Sequence, residues 1–304
     1  MKKLIVIGGA TATGKTAWAI RLARLFGTEI ISADSRQCYI GMDIGSAKPS
    51  PEELAAAPHH FISTIRPDQP FSAGDFARQA ADVLKRIFAQ NDRAIVAGGS
   101  GLFIRALCEG LDEFPDISPQ TRAYVAEQER ARGLAWLQAE VEARDPRYYA
   151  RVDRNNPARL RRALEVCIAS GRPYSDFRQA RPAPLPYAIQ YLLLTLPRPT
   201  LYARIDRRVD AMMAQGLEAE ARALLPYRQY PALRTVGYQE LFEYFDGLHT
   251  LEQAVEKIKQ HSRNYAKRQE TWFRKYGAWT PAHPDDEATI LQIVKDRPPP
   301  TTNH

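Results

Sequence analysis

The stretch LIVIGGATATGKT, residues 4–16, constrains what this chain can become more than any other. Leu4 to Ile7 is short and wholly apolar, as a strand buried on both faces of a parallel sheet must be. It ends in Gly8 and Gly9, and Gly14, Lys15 and Thr16 follow. Then comes an apolar pattern at helical spacing through Ala19, Leu22, Ala23, Leu25 and Phe26. Strand, G-x-x-x-x-G-K-T and helix, in that order, form the context in which such a turn binds phosphate groups. Small residues across Gly9, Ala10, Thr11, Ala12, Thr13 and Gly14 let successive backbone N–H groups converge on phosphate oxygens, and the helix N-terminus adds its positive dipole end. Lys15 is placed to neutralise a terminal phosphate, and the Thr16 hydroxyl to hold Mg²⁺. The pattern specifies a polyphosphate, free or as part of a nucleotide such as ATP, but not what is done to it.

A chain of 304 residues can bury a sizeable core as one large domain or two smaller ones. No apolar run approaches the roughly 18 residues of a membrane span. The N-terminal run leads straight into the phosphate loop, unlike a signal peptide. Cys38, Cys108 and Cys167 lie far apart with no C-x-x-C spacing, which fits a reducing cytoplasm and argues against zinc or a disulfide framework. The net charge of +7 is compatible with an acidic partner without demanding one.

Glu29 to Ala33 reads as a second short strand with Asp34 just past its end. Carboxyl ends of parallel strands face the ligand crevice, so Asp34 is expected near the phosphate loop, either as a turn aspartate or as a ligand-facing carboxylate. Ser35, Arg36, Gln37 and Tyr39 follow. Residues 41–70 are rich in glycine and proline and read as loop. There Lys48 is either an anion contact or a solvated lysine, and His59 and His60 have no third ligand at metal spacing. Ser72-x-x-Asp75 is a capping box for a helix whose inner face is Phe76, Ala80, Val83, Leu84, Ile87 and Phe88. Ala94 to Ala97 is another buried strand, ending in Gly98-Gly99-Ser100-Gly101 rather than in the acidic residue usual for NTP hydrolysis. That loop is either a simple turn or a close-approach site with the Ser100 hydroxyl aimed at a substrate.

Beyond about residue 116 strand-like runs vanish until Ile189–Leu196. Gln120–Ala143 and Pro157–Ser170 read as helices in a segment rich in arginine, closed by Pro182, Pro184 and Pro186. The mixture of these arginines with Tyr148, Tyr149, Asn155 and Asn156 favours a nucleic-acid surface over a merely solvated face. After the returning strand, Leu201, Ile205, Val209, Met212, Met213 and Leu217 keep helical spacing. A last helical region interleaves Lys257, Lys259, Arg263, Lys267, Arg268, Arg274 and Lys275 with Tyr265, Trp272, Phe273 and Tyr276. Its basic residues suit phosphates, and its aromatics either stack on bases or pack inward. The tail RPPPTTNH reads as disordered.

Taken together and in order, these stretches resemble the tRNA dimethylallyltransferases, also called tRNA isopentenyltransferases. The matching pieces are GGATATGKT (Gly8–Thr16), DSRQCYIGMDIGSAKP (Asp34–Pro49), HHF (His59–Phe61), FSAGDF (Phe71–Phe76) and AGGSGLFIRAL (Ala97–Leu107). NNPARLRRALEV (Asn155–Val166), LYARIDRRVDAMMAQGLEAEAR (Leu201–Arg222), RTVGYQE (Arg234–Glu240) and RNYAKRQETWFRK (Arg263–Lys275) complete the set. The resemblance implies transfer of a dimethylallyl group from dimethylallyl diphosphate to the exocyclic amine of the adenine 3′ of the anticodon, with the target base flipped out of the anticodon stem-loop into a channel. It implies Asp34 as the base, Ser100 as an orienting hydroxyl where threonine is usual, and Lys15 with Mg²⁺ on the departing diphosphate, Thr16 and Asp34 being the metal candidates. Phe103 stands where tyrosine is usual. The tRNA contacts it implies are Asp34–Gln37, Ser100, the segment Ala158, Arg159, Leu160, Arg161 and Arg162, then Arg234, Gly237, Tyr238 and Gln239, then Lys267, Arg268 and Arg274. Ala158 replaces a usual glutamine, and Arg161 could pair with Glu165 instead of RNA.

The resulting expectation is an α/β protein. Its P-loop NTPase-like core, with a parallel sheet, comprises residues 1–117 and 188–304, and a helical tRNA-binding insertion spans residues 118–187. A monomeric, cytoplasmic, Mg²⁺-dependent prenyltransferase with no membrane association is the function expected. A P-loop kinase of a small molecule, a free-nucleotide prenyltransferase and an RNA-binding protein with a vestigial phosphate loop are the alternatives; the basic regions and the intact Gly14-Lys15-Thr16 and Asp34 speak against them.

Overall fold

The computed structural model describes residues 2–112, 114–178 and 185–295. Arg181, Pro182, Pro184 and the tail expected to be disordered lie outside them. The chain divides into two compact units, one of Met1–Glu109 with Pro184–His304, the other Gly110–Ala183.

The first unit is built on strand β1 (Lys3–Gly9), every residue of which is buried. In chain order follow α1 (Lys15–Phe26), β2 (Ile30–Ser32), α2 (Pro51–Ala56), β3 (His59–His60), α3 (Ala73–Gln90), β4 (Arg93–Ala97) and α4 (Gly101–Glu109). The second unit interposes α5 (Pro119–Arg144), α6 (Pro146–Tyr149) and α7 (Pro157–Ser170). The chain then returns with β5 (Ala188–Leu194), α8 (Arg198–Ala214), α9 (Leu217–Leu224), α10 (Tyr238–Phe245), α11 (Leu251–Lys275), β6 (Thr280–Ala282) and α12 (Glu287–Lys295). The six strands form one parallel sheet in the order β3-β2-β4-β1-β5-β6.

Alternation along β1 explains the two apolar layers. Leu4 and Val6 face α3, α4 and Phe273 of α11, whereas Ile5 and Ile7 face Trp18, Ala19, Leu22 and Ala23 of α1 and Ile290, Ile293 and Val294 of α12. The expected inner face of α3 is the observed one, and Ser72 and Asp75 form the reciprocal capping box. A third core joins α8–α11 to Cys38, Tyr39 and Met42 after β2.

Several expectations need correcting. Residues 41–70 are not all loop: Ser50 and Glu53 cap α2, and β3 extends the sheet. The helix read through Leu217 stops at Ala214, because Gly216 takes φ 99° and starts α9 anew. β6 and α12 carried too few periodic residues to be read.

The second unit packs Val125, Trp136, Leu137, Val141, Tyr148, Leu160, Ala163 and Leu164 together. Fully buried Asp145 is satisfied by the Tyr148 N–H (2.9 Å), the Ser175 N–H (2.6 Å) and the Ser175 hydroxyl (2.9 Å). Among the described residues no helix is long and apolar enough to cross a membrane.

Candidate functional site

Parallel pairing brings the carboxyl ends of β1, β2 and β4 to one edge. The Ala33 N–H donates to Ala97 O (2.8 Å), the Gly98 N–H to Ile7 O (3.1 Å) and the Ser100 N–H to Ala33 O (3.1 Å). These cross-bonds set the phosphate loop, Asp34 and Ser100 side by side around a cavity of about 540 Å³. Thr11, Ala12, Gly14, Lys15, Thr16 and Asp34 to Gln37 line it.

The phosphate loop holds its own shape. Ala12 and Gly14 take φ of 64° and 91°, the Thr13 hydroxyl donates to Ala10 O (2.8 Å), and Lys15 Nζ donates to the same carbonyl (2.7 Å). Of the residues expected on phosphate, Ala10 and Thr13 line a second cavity of about 420 Å³ instead. Gly9 packs so tightly that a Cβ there would lie 2.8 Å from Leu194 O.

Asp34 Oδ1 accepts the Arg36 N–H (2.9 Å), which holds its carboxylate as a turn while leaving it on the cavity wall. Ser100 Oγ accepts the Ser35 N–H (2.9 Å) and donates to Ser35 Oγ (3.1 Å), so its hydroxyl shapes the loop carrying Asp34. The glycines around it are held close against the protein, and Gly98 also lines the cavity. A Cβ on Gly98 would sit 2.1 Å from Ala33 O, and one on Gly99 2.2 Å from Gln269 Nε2. Phe103 stacks on Phe76 in the core, 4.6 Å between centroids.

The strongest electrostatic feature was not read from sequence as a site residue. Arg208, on α8, reaches the cavity and donates Nη1 to Thr11 Oγ1 (3.2 Å). Burial lowers its pKa against the pull of Asp34 and Glu53. Burial first, and then the Arg208 charge, lower the Lys15 ammonium to about 8, opposed by Asp34. Among the described residues neither cation forms an ion pair with a carboxylate, which would be costly unless the cavity receives anions. Arg208 flanks the stripe Leu201, Ile205, Val209 one position short of Val209 and lies within the matching stretch Leu201–Arg222, the two signals in the sequence that could have found it. Tyr265 also lines the cavity, and burial together with the Asp34 charge pushes its hydroxyl up to about 12, so it stays a donor.

Among the hard oxygens of the residues lining the cavity, the Thr16 hydroxyl and the carboxylates of Asp34 and Glu53 are the metal candidates. Among the described residues no three His, Cys, Asp or Glu side chains gather as a metal cage. Such a sparse oxygen set fits Mg²⁺, which keeps several waters and leans on substrate phosphates.

The residues expected on tRNA separate into available and committed groups. Arg234, Gln239, Lys267, Arg268 and Arg274 are exposed, as are Ala158 and Arg159 on α7. Arg162 is half-buried, 5.3 Å over the Phe114 ring. Leu160 and Tyr238 are corrections. Leu160 is fully buried in the second unit's core, and fully buried Tyr238 donates its hydroxyl to Glu220 (2.7 Å). Gly237 is buried too and gives its N–H to Glu240. The Gln37 amide is used internally, accepting from Ser32 and donating to Ala47 O, each at 2.9 Å. Arg161 pairs not with Glu165 but with Glu129, at 2.5 and 2.7 Å. Lys48 is neither an anion contact nor solvated: its ammonium ties Tyr39 O, Asp43 and Ser63 together. His60 meets Glu29 (2.6 Å) and His59 meets Ala57 O (2.8 Å). On α11 Phe273 and Trp272 pack inward.

A family model described as IPP transferase matches residues 37–276. A tRNA dimethylallyltransferase of Christiangramia forsetii is 47% identical over 272 residues, 90% of each chain. A tRNA dimethylallyltransferase 1 of Bacteroides thetaiotaomicron is 41% identical over 295 residues, 97% of this chain and 96% of that one. The structure is similar to that of the full-length tRNA isopentenylpyrophosphate transferase from Bacillus halodurans, with TM-score 0.71 and 34% identity, covering 96% of this chain and 94% of that one. A eukaryotic dimethylallyltransferase acting on tRNA shares the fold, with TM-score 0.81 at 22% identity, covering 96% and 78%.

Proposed function

The chain belongs to the IPP transferase family and is a transferase that modifies tRNA, and we propose from that premise how its own residues carry out the transfer. The donor is dimethylallyl diphosphate, with its diphosphate in the cradle of Thr11, Ala12, Gly14, Lys15 and Thr16. Two desolvated cations without carboxylate partners, Lys15 and Arg208, on one cavity with Asp34 are the observation that carries this reading. They suit a leaving group on which negative charge grows as it departs. Mg²⁺, held by the Thr16 hydroxyl with Asp34 in reach, would supply further neutralisation of the phosphates.

The acceptor is the exocyclic amine of the adenine 3′ of the anticodon, flipped out of the loop. Its lone pair is delocalised into the ring, so a carboxylate accepting its proton speeds attack, and Asp34 is that base. The nitrogen bonds to the allylic carbon, the bond from that carbon to the diphosphate oxygen breaks, the proton passes to Asp34 and diphosphate leaves. Ser100 orients this pair by fixing Ser35 beside Asp34. Exposed Arg159, Arg234, Gln239, Lys267, Arg268 and Arg274 take tRNA phosphates and edges, and residues 110–183 are the RNA-binding unit. A tRNA substrate and three unpaired cysteines fit the cytoplasm.

Incubation of the protein and total tRNA with labelled dimethylallyl diphosphate, and separately with ATP labelled in its γ-phosphate, tests this. Label is expected in tRNA only from the dimethylallyl donor. Transfer of phosphate from ATP, with none from the prenyl donor, would replace the reading with a kinase.

A further inference from the structure

Gln269 lies within the stretch Lys267–Arg274, whose matching segments contact tRNA in the family, yet it points away from solvent. On α11 it shares the buried stripe of Ala254, Ile258, Ala266 and Phe273 and is only 6% exposed. A buried primary amide must satisfy both ends, and each end here goes to a different loop of the site. Oε1 accepts the Thr11 N–H of the phosphate loop at 2.9 Å. Nε2 donates to Gly99 O at 2.9 Å. Because the partners are a backbone N–H and a carbonyl, the amide can take only one orientation.

Both loops carry chemistry immediately beside these contacts. Thr11 also receives Arg208 through its hydroxyl (3.2 Å), so one residue meets the strut by its amide and the anion-facing cation by its side chain. Gly99 precedes Ser100, whose hydroxyl accepts the Ser35 N–H next to Asp34. Any side chain at Gly99 would collide with Nε2, at 2.2 Å from its Cβ. Among the described residues no other side-chain hydrogen bond ties these two loops together.

We infer that Gln269 is a positioning residue: a two-ended strut that fixes the separation between the diphosphate cradle and the Ser100–Ser35–Asp34 wall. This rests on the function proposed above. Departure of the diphosphate and capture of the amine proton occur on opposite loops, so the strut sets whether donor carbon and acceptor nitrogen meet in register. Misplacement of about 1 Å can cost on the order of a hundredfold in rate.

Gln269→Met keeps the side-chain volume and loses both hydrogen bonds. Gln269→Glu keeps the acceptor for Thr11 and loses the donor to Gly99. Four readouts are taken on the full chain: thermal midpoint, Kd for tRNA, Kd for inorganic diphosphate, and kcat with KM for dimethylallyl diphosphate. For Gln269→Met the expected result is a kcat lower by roughly ten- to a hundredfold, weaker inorganic diphosphate binding and a tRNA Kd within about twofold of the parent. Gln269→Glu should bind inorganic diphosphate worse still, since a carboxylate now sits behind the cradle. Parental kcat and diphosphate affinity in Gln269→Met would overturn the strut. So would losses in tRNA and diphosphate binding that move together with the thermal midpoint, since that is what a merely structural residue gives. Inorganic diphosphate binding needs no turnover, so a parent protein that binds it but transfers no prenyl group would count against the proposed function and leave the strut measurable.

Discussion

The phosphate-loop cavity and the helical unit of residues 110–183 both concentrate basic side chains, and they use them in opposite ways. In the helical unit five of the twelve described arginines already have carboxylates: Arg144 with Glu140, Arg147 and Arg172 with Asp176, Arg161 with Glu129 and Arg178 with Asp112. Arg154 and Arg162 lie over the rings of Tyr149 and Phe114. In the cavity, Lys15 and Arg208 are desolvated, repel one another and have no carboxylate at ion-pair distance among the described residues. Density of charge therefore says less than the fate of each charge. A cation already paired at the surface contributes little to an outside ligand, whereas a desolvated one without a carboxylate partner is poised for an anion.

The largest effect expected lies beside the two cations. Asp34→Asn should lower single-turnover prenyl transfer by about 10²–10⁴-fold while tRNA affinity changes little. Parental turnover would take the base role away from Asp34. Next, Lys15→Ala and Arg208→Ala should each weaken diphosphate binding roughly ten- to a hundredfold, as loss of a charged hydrogen bond does, with tRNA binding unchanged in titrations. Collapse of tRNA binding instead would mean that the loop reads RNA phosphates, and the contrast between the two regions would fail.

Smaller effects should sort the arginines of the helical unit and α11. Arg159→Ala and Lys267→Ala should each shallow the log–log salt dependence of tRNA binding by about 0.7–0.9. Arg161→Ala should leave that slope alone and cost no more than about 1 kcal/mol in a denaturant melt, because its partner is Glu129. Equal slopes for all three would place the RNA surface elsewhere. The smallest effect concerns stability. Folding lowers the Lys15 pKa from 10.5 to about 8, so at neutral pH its charge opposes folding, and the penalty fades as pH rises from about 8 to 10.5. Lys15→Met should thus raise the thermal midpoint of the ligand-free protein by a few degrees at pH 7 and by less at pH 10. A lower midpoint at pH 7 would show that the lysine is not strained.

What the sequence disclosed follows from how local each cause is. The phosphate loop is a backbone device written in nine consecutive residues, Gly8 to Thr16, and Asp34 is placed by a strand-end rule that needs only β2. Arg208 and Gln269 depend on α8 and α11 packing against a loop from the other end of the chain. Glu220 is similar: its carboxylate takes the N–H groups of Asp43, Ile44 and Gly45, at 2.7–2.9 Å, together with the Tyr238 hydroxyl, and so braces a loop on the cavity wall. A family motif lists Tyr238 and Leu160 beside true surface residues, and only burial separates them. A glutamine on the apolar stripe of α11 was a readable sign, since a buried amide must have partners.

The central claim is that Lys15 and Arg208 form a cation pair built for the donor's diphosphate, and proton linkage tests it most directly. Calorimetric titration with dimethylallyl diphosphate at pH 8.5, in two buffers of different ionisation enthalpy, counts the protons taken up on binding. A lysine near 8 in the free protein is mostly neutral there, and the diphosphate should recharge it. Uptake of roughly three-quarters of a proton is expected for the parent and close to none for Lys15→Met. No uptake in the parent, or the same uptake in Lys15→Met, would contradict the account.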